Sequence, residues 1–327
     1  MPSVGIVGAG MAGLTCARRL QAAGFQVTLF DKSRGPGGRM STRRRTVRRY
    51  DHGAPYFTAK TPAFQAVIDE WLAQGQIAPW GARFVSLNGG HATPTPDGPI
   101  RYVGVPRMSA LTRHLSQGLD LQTGVRIGII HPIVDQVELF DVGGQSVGRF
   151  DHAVVSTPAE QAVPLVASSS ELSLVAARAR MTPCLTAMVT FSPALSVDFD
   201  VARVAGGPLD WIGRNASKPQ RPDFDSWVLH ATSAWSVEHL EDDVDTIAAA
   251  LVDALQQAVG VPRTPAEVVG HRWRYARADG PFDEDSYLDS DRRLGVCGDW
   301  CGGAQVEGAW RSGHHLAGRL MEVAGRA

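Results

Sequence analysis

The chain has 327 residues, 44% of them hydrophobic and 20% charged, which is ordinary for a globular protein and long enough for about two domains. Its 32 basic and 33 acidic residues leave a net charge of -1, so no field of one sign argues for nucleic acid or an anionic membrane as partner. No run of about 18 apolar residues occurs, so no membrane span is expected and a cytoplasmic enzyme is the default.

Residues 4–7 are a short apolar run that predicts a buried strand. Gly8-Ala9-Gly10-Met11-Ala12-Gly13 follows at once. A helix is predicted over 11–23, with Leu14, Ala17 and Leu20 on one face and Gly24 as its stop. Residues 25–30 predict a second strand, and Asp31 stands at its end. Strand, glycine turn, helix, strand and acid together make a dinucleotide-binding fingerprint. Gly8 makes the turn, Gly10 lets backbone approach a pyrophosphate, and Gly13 lets helix and strand pack closely. The helix start at Met11 and Ala12, carrying roughly half a positive charge, faces the phosphates. Asp31 is placed to accept hydrogen bonds from an adenosine ribose, with Lys32 beside it.

A second glycine cluster, Ser33-Arg34-Gly35-Pro36-Gly37-Gly38-Arg39, comes next. A plain NAD site has no need of it. In flavoproteins of the glutathione-reductase type, an arginine and a glycine pair at this place contact the pyrophosphate again. FAD is therefore the expected dinucleotide, held non-covalently, with Gly38 and Arg39 among its contacts. The basic run from Arg39 to Arg49 sits directly behind this pattern and is read with it rather than as a nucleic-acid patch.

Further along, residues 124–130 and 136–142 predict strands of a meander, and 151–158 a buried strand ending in a polar turn. In this type of flavoprotein the first meander strand offers backbone to the adenine, here near Ile127. Strands are also predicted over 185–191 and 226–231, and a helix over 244–259 with Asp242 or Asp243 as cap. Residues 294–297 predict a last short strand, followed by Gly298-Asp299, a loop, and a helix opened by Val306-Glu307-Gly308-Ala309 and running to about 323. That arrangement resembles the C-terminal FAD motif of the same superfamily. There the aspartate meets the pyrophosphate or ribityl chain, and the helix start faces the flavin N1 and C2 carbonyl. A positive dipole at that point favours negative charge on the reduced ring. The expected fold is an α/β FAD-binding Rossmann-like domain of the glutathione-reductase/amine-oxidase type, with a second, α+β substrate domain. The FAD part would take residues 1–60, 101–158 and 290–327, and the substrate part 61–100 and 159–289. Cys16, Cys184, Cys297 and Cys301 form neither a disulfide framework nor a zinc pattern, and inert thiols are expected.

Several segments resemble bacterial renalases, a branch of the flavin-containing amine oxidoreductase superfamily. They are residues 30–40, Asp51-His52-Gly53-Ala54-Pro55-Tyr56-Phe57-Thr58-Ala59, residues 102–110, His271-Arg272-Trp273-Arg274-Tyr275-Ala276, and residues 297–301 with Val306-Glu307-Gly308-Ala309-Trp310. Two positions depart from the pattern: Pro55 stands where relatives carry Gln, and Arg107 where Gly is usual. The resemblance implies oxidation of the 2- and 6-dihydro isomers of β-NAD(P)H. Hydride goes to flavin N5, O2 is reduced to H2O2, and NAD(P)+ leaves, which is metabolite repair. It also places Ala54 and Pro55 at the flavin edge.

A dihydronicotinamide already donates hydride, so its site needs alignment more than an acid or base. No Ser-His-Asp set, metal cluster or catalytic-cysteine context is found in the sequence. No residue is a certain catalyst; the candidates are His271, Trp273 and Tyr275. The expected substrate pocket draws on Tyr56, Phe57, Thr58, Arg101, Tyr102 and Trp300, with Trp310 a further aromatic wall. Three alternatives stay open: a flavin amine oxidase, a non-catalytic FAD-binding protein, and a plain NAD dehydrogenase. The chain has only three lysines, Lys32, Lys60 and Lys218, and none is in a clear position near N5, which weighs against the amine oxidase.

Overall fold

The computed structural model describes residues 1–96, 98–222, 224–280 and 283–325. Strand Ser3–Val7 is buried, and it leads through the glycine turn into helix Met11–Ala22 and strand Gln26–Asp31. These strands are the centre of a six-stranded sheet. Its order is Tyr287–Asp289, Leu294–Val296, His152–Val155, Ser3–Val7, Gln26–Asp31 and Asp120–Thr123. All neighbours are parallel except the first pair. The meander Ile127–Ile133, Gln136–Asp141 and Ser146–Phe150 lies against this sheet. Gly5 permits that contact, because a Cβ there would sit 2.8 Å from the Phe150 ring.

The second layer is a seven-stranded sheet. Its order is Pro265–Asp279, Arg180–Phe191, Asp225–Ala231, Leu209–Arg214, Val201–Ala205, Phe84–Asn88 and His91–Pro94. Strand alternation divides its faces. Leu185, Ala187, Val189, Ile212 and Leu229 point to one side and pack against helix Val244–Val259. Asp243 is that helix's cap, accepting from the amides of Asp245 and Thr246. The other side carries Thr186, Met188, Thr190, Trp211, Val228 and His230, and looks toward the first sheet.

Two placements differ from the sequence expectation. Tyr287–Asp289, expected with the substrate part, forms the antiparallel edge of the first sheet, because a short turn folds it back on Leu294–Val296. Helices Ala159–Ala162 and Ser170–Arg178 bury Ala159, Leu172 and Ala176 in the same core as Val7 and Phe30. Among the described residues no helix is long and apolar enough to cross a membrane.

Candidate functional site

A cleft of about 2150 Å³ runs between the two sheets. An ordinary small-molecule pocket has roughly 300–1,000 Å³, so this one has room for a dinucleotide and a second molecule. At its first end the glycine turn does three different jobs. Gly8 has φ +107, a left-handed conformation that a side chain resists. A Cβ on Gly13 would lie 2.1 Å from the Gly8 carbonyl, so this glycine is a packing requirement. A Cβ on Gly10 would meet nothing within 4 Å, so its bareness serves the cleft and not the fold. Helix Met11–Ala22 has no side-chain cap and no acid in its first turn, which leaves its first amides free for an anion. Asp31 accepts from the amides of Ala9 and Ser33 at 2.8 and 2.7 Å, and a carboxylate has lone pairs left for ribose hydroxyls.

Arg39 and Asp299, 260 residues apart in sequence, form a two-pronged ion pair at 2.5 and 2.6 Å. The pair ties the second glycine cluster to the C-terminal strand-helix turn. The C-terminal helix Val306–Val323 crosses the first helix so closely that a Cβ on Gly313 would lie 2.1 Å from the Ala12 carbonyl. This crossing brings both helix starts to one cleft. Gly8, Gly10, Met11, Ala12, Asp31 and Lys32 line it, as do Gly38, Arg39, Ala54, Pro55 and Ile127. Gly298, Asp299, Val306, Glu307 and Ala309 complete that end. Glu307 has a structural task as well: its carboxylate accepts from the amides of Lys60 and Thr61 and from the Thr61 hydroxyl. These residues fit a dinucleotide pyrophosphate: open backbone, an uncapped helix start, and acids at either flank.

The other end is the cleft-side face of the second sheet. Register sets Trp211, His230, Thr186 and His271 side by side on four adjacent strands, and Trp273 follows two residues on. His52 completes the group, its ring 4.6 Å from that of His271 and 4.9 Å from that of Trp273. The Trp273 indole donates to the His52 carbonyl at 3.0 Å. Arg43 reaches His271 Nδ1 at 2.8 Å. A guanidinium only donates, so Nδ1 accepts and the ring proton sits on Nε2. Burial, helped by the Arg43 charge, lowers His271 to about 4. Burial with the neighbouring His271 and Arg43 lowers His52 to about 3, and burial lowers His230 to about 4. All three imidazoles are neutral at pH 7. The rings of this face are therefore aromatic or polar and neutral, with the Arg43 guanidinium at their edge.

Tyr56, Phe57 and Thr58 line the cleft, and so do His271, Trp273 and Tyr275. Four expected wall residues do not. Trp300 is 1% exposed in the first core, with its indole N–H on the Thr157 carbonyl. Tyr102 is buried where it bridges Phe57, and Arg101 lies 3.7 Å over the Phe84 ring. Trp310 packs on Phe64 and His314. In each case the aromatic or cationic surface finds its partner within the core. Arg107 causes no strain where Gly is usual, because its φ of -164 is extended backbone. Cys16, Cys297 and Cys301 are buried, and burial raises all three thiols.

Residues 80–321 match the family of flavin-containing amine oxidoreductases, and residues 6–71 match an NAD(P)-binding Rossmann-like domain. The chain belongs to the flavin-containing amine oxidoreductase family. Its cofactor is FAD, and it is an oxidoreductase. Local similarity extends to a 4,4'-diapophytoene desaturase (4,4'-diaponeurosporene-forming) of Staphylococcus haemolyticus, 40% identical over 67 residues, which are 20% of this chain and 13% of that one. A hydroxyneurosporene desaturase of Cereibacter sphaeroides is 55% identical over 42 residues, 13% of this chain and 8% of the relative. The chain thus matches only a small part of each desaturase. The fold is shared with the crystal structure of a candidate protoporphyrinogen oxidase from Exiguobacterium sp. 255-15, with a TM-score of 0.81, 12% identity and 98% of both chains covered.

Proposed function

We propose that this protein is a renalase-like, cytoplasmic FAD-dependent oxidase that converts 2- and 6-dihydro isomers of β-NAD(P)H to NAD(P)+, with O2 as acceptor and H2O2 as product. The observation that carries the reading is the cleft face of the second sheet. It offers aromatic rings and neutral imidazoles, and Asp210 beside them is held by Arg203, which suits a donor that needs alignment rather than proton transfer. When bound, the non-covalent flavin supplies the hydride acceptor and the reaction with oxygen. The protein's part is to hold and orient. The first helix start and the Gly10 backbone bind the pyrophosphate, and Asp31 the ribose. The start of helix Val306–Val323, with Ala54, Pro55 and Tyr56, would hold the flavin edge. Trp273, Trp211 and His271 bound the space for the dihydronicotinamide and exclude water from it.

The amine-oxidase alternative finds little in two of the three lysines: Lys32 is engaged with Gln161, and Lys218 is buried on Asp51. Lys60 lines the cleft beside Glu307. The test is an anaerobic titration of the yellow protein with 6-dihydroNAD. Stoichiometric bleaching, reversed by air with peroxide formation, is expected. A flavin that stays oxidised with this donor but bleaches with an amine would replace the reading.

A further inference from the structure

The cleft's charge is out of proportion to the chain. The net charge is -1, yet thirteen basic residues line the cleft against five acidic ones. The cofactor accounts for the cations at the glycine-turn end. It does not account for Arg43, Arg44, Arg203 and Arg277, which also line the cleft, as does Asp210. Asp210 is already paired with Arg203 at 2.7 Å. Among the described residues Arg43 is hydrogen-bonded to the neutral His271 ring and joins no ion pair. Among the described residues Arg44 and Arg277 have no ion-pair partner. Positive charge on low-dielectric walls focuses a field that draws anions and repels cations.

We propose that this arginine collar recognises phosphate on the substrate, so that the site selects a phosphate-bearing dihydronicotinamide nucleotide over the bare nucleoside and over any ammonium compound. Arg44 and Arg277 are the specificity-determining residues best suited to a test, since both are exposed and neither joins a described ion pair. The inference rests on the dihydronicotinamide reading for the identity of the reacting ring, but the collar's preference for phosphate is separable from it.

The experiment uses the flavin-loaded protein in anaerobic stopped flow. The second-order rate constant for flavin reduction by 6-dihydroNAD is expected to fall at least roughly tenfold between low and high salt. That for 6-dihydronicotinamide riboside, which has no phosphate, is expected to stay level. The double charge reversal Arg44→Glu with Arg277→Glu should lower the dinucleotide constant by a similar factor at low salt. It should leave the limiting reduction rate and the riboside constant unchanged. Equal salt dependence for both donors, or a charge reversal without effect, would overturn the proposal. If neither donor bleaches the wild type, the dihydronicotinamide reading fails, and ADP-ribose becomes the probe. Salt-sensitive binding of ADP-ribose to the flavin-loaded wild type, lost in the double variant, supports the collar; equal binding by both proteins sinks it.

Discussion

Three glycines of one turn have different reasons to be glycine, and the difference is measurable. Gly13 faces a carbonyl at a distance no Cβ tolerates, whereas Gly10 faces open cleft and has an ordinary φ of -79. Gly13→Ala should therefore fail to give folded protein. Gly10→Ala should fold with an unchanged far-ultraviolet spectrum and lose flavin affinity. Crowding by one methyl typically costs about 1–3 kcal/mol, or roughly five- to 150-fold in Kd. Wild-type flavin affinity in Gly10→Ala would show that the pyrophosphate does not approach this backbone. That Gly8, Gly10, Asp31, Arg39 and Asp299 line one cleft was legible in the sequence, because turn, helix start and strand end follow from local order. The place of His230 was not: nothing near it in sequence hints at a site, and only strand register brings it to His271. His52 adjoins the Gly53-Ala54-Pro55-Tyr56 segment, but only the fold sets its ring against His271.

At the level of elements, the second glycine cluster and the C-terminal strand-helix turn are distant in sequence and are joined by Arg39 and Asp299. Asp299's side chain is 7% exposed and Arg39's 29%, so the pair lies between an exposed and a buried one. Removing the cation should cost more than the roughly 1 kcal/mol of a surface pair and less than the roughly 3–5 kcal/mol of a buried one. Arg39→Met is expected to lower both the melting temperature and the flavin affinity. Arg39→Lys should restore only part of each, since an ammonium cannot reproduce the two-pronged geometry. Full recovery with Lys would mean that charge alone matters here. The basic run that follows has structural work of the same kind. Arg45 and Arg48 meet Glu267, which also accepts from Tyr50, and so the hairpin of strands Arg43–Arg44 and Arg49–Tyr50 is pinned to strand Pro265–Asp279. That strand carried a period-two pattern, with His271, Trp273 and Tyr275 alternating with Arg272 and Arg274. The alternation alone marks one face as ring-bearing and the other as cationic. Trp300 and Trp310 misled for the opposite reason. A helix or loop beside a cofactor motif has a core side as well, and composition does not say which side an indole takes.

Over the whole molecule, the two layers are joined by a shared core and by a buried ionic centre. Asp51 accepts from Thr42 and the Met108 amide on one oxygen, and from Arg221 at 2.7 Å and Lys218 at 3.4 Å on the other. All three side chains in this centre are 1% exposed. Burial alone would raise the Asp51 carboxyl, but the Lys218 and Arg221 charges hold it below the ordinary carboxylate range. Its contribution to stability is complete above pH 4 and is lost only in stronger acid. The imidazoles act earlier. His52, His230 and His271 have folded values of about 3, 4 and 4, against 6.5 in the unfolded chain. Between those limits the unfolded chain binds more protons, so stability rises with pH and falls as pH drops below 6.5. The urea midpoint of the flavin-saturated protein is therefore expected to be level above pH 7 and to decline steadily toward pH 4.5. The loss should be of the order of 1 kcal/mol per imidazole, since a unit of pKa corresponds to about 1.4 kcal/mol and the cleft is partly wet. His271→Gln removes one of the three and should flatten that decline by about a third, with no change in the slope below pH 4 that belongs to Asp51. A midpoint that does not move between pH 7.5 and 5 would mean that these rings titrate in the folded protein as they do in the unfolded chain, so that burial does not keep them neutral below pH 6.5.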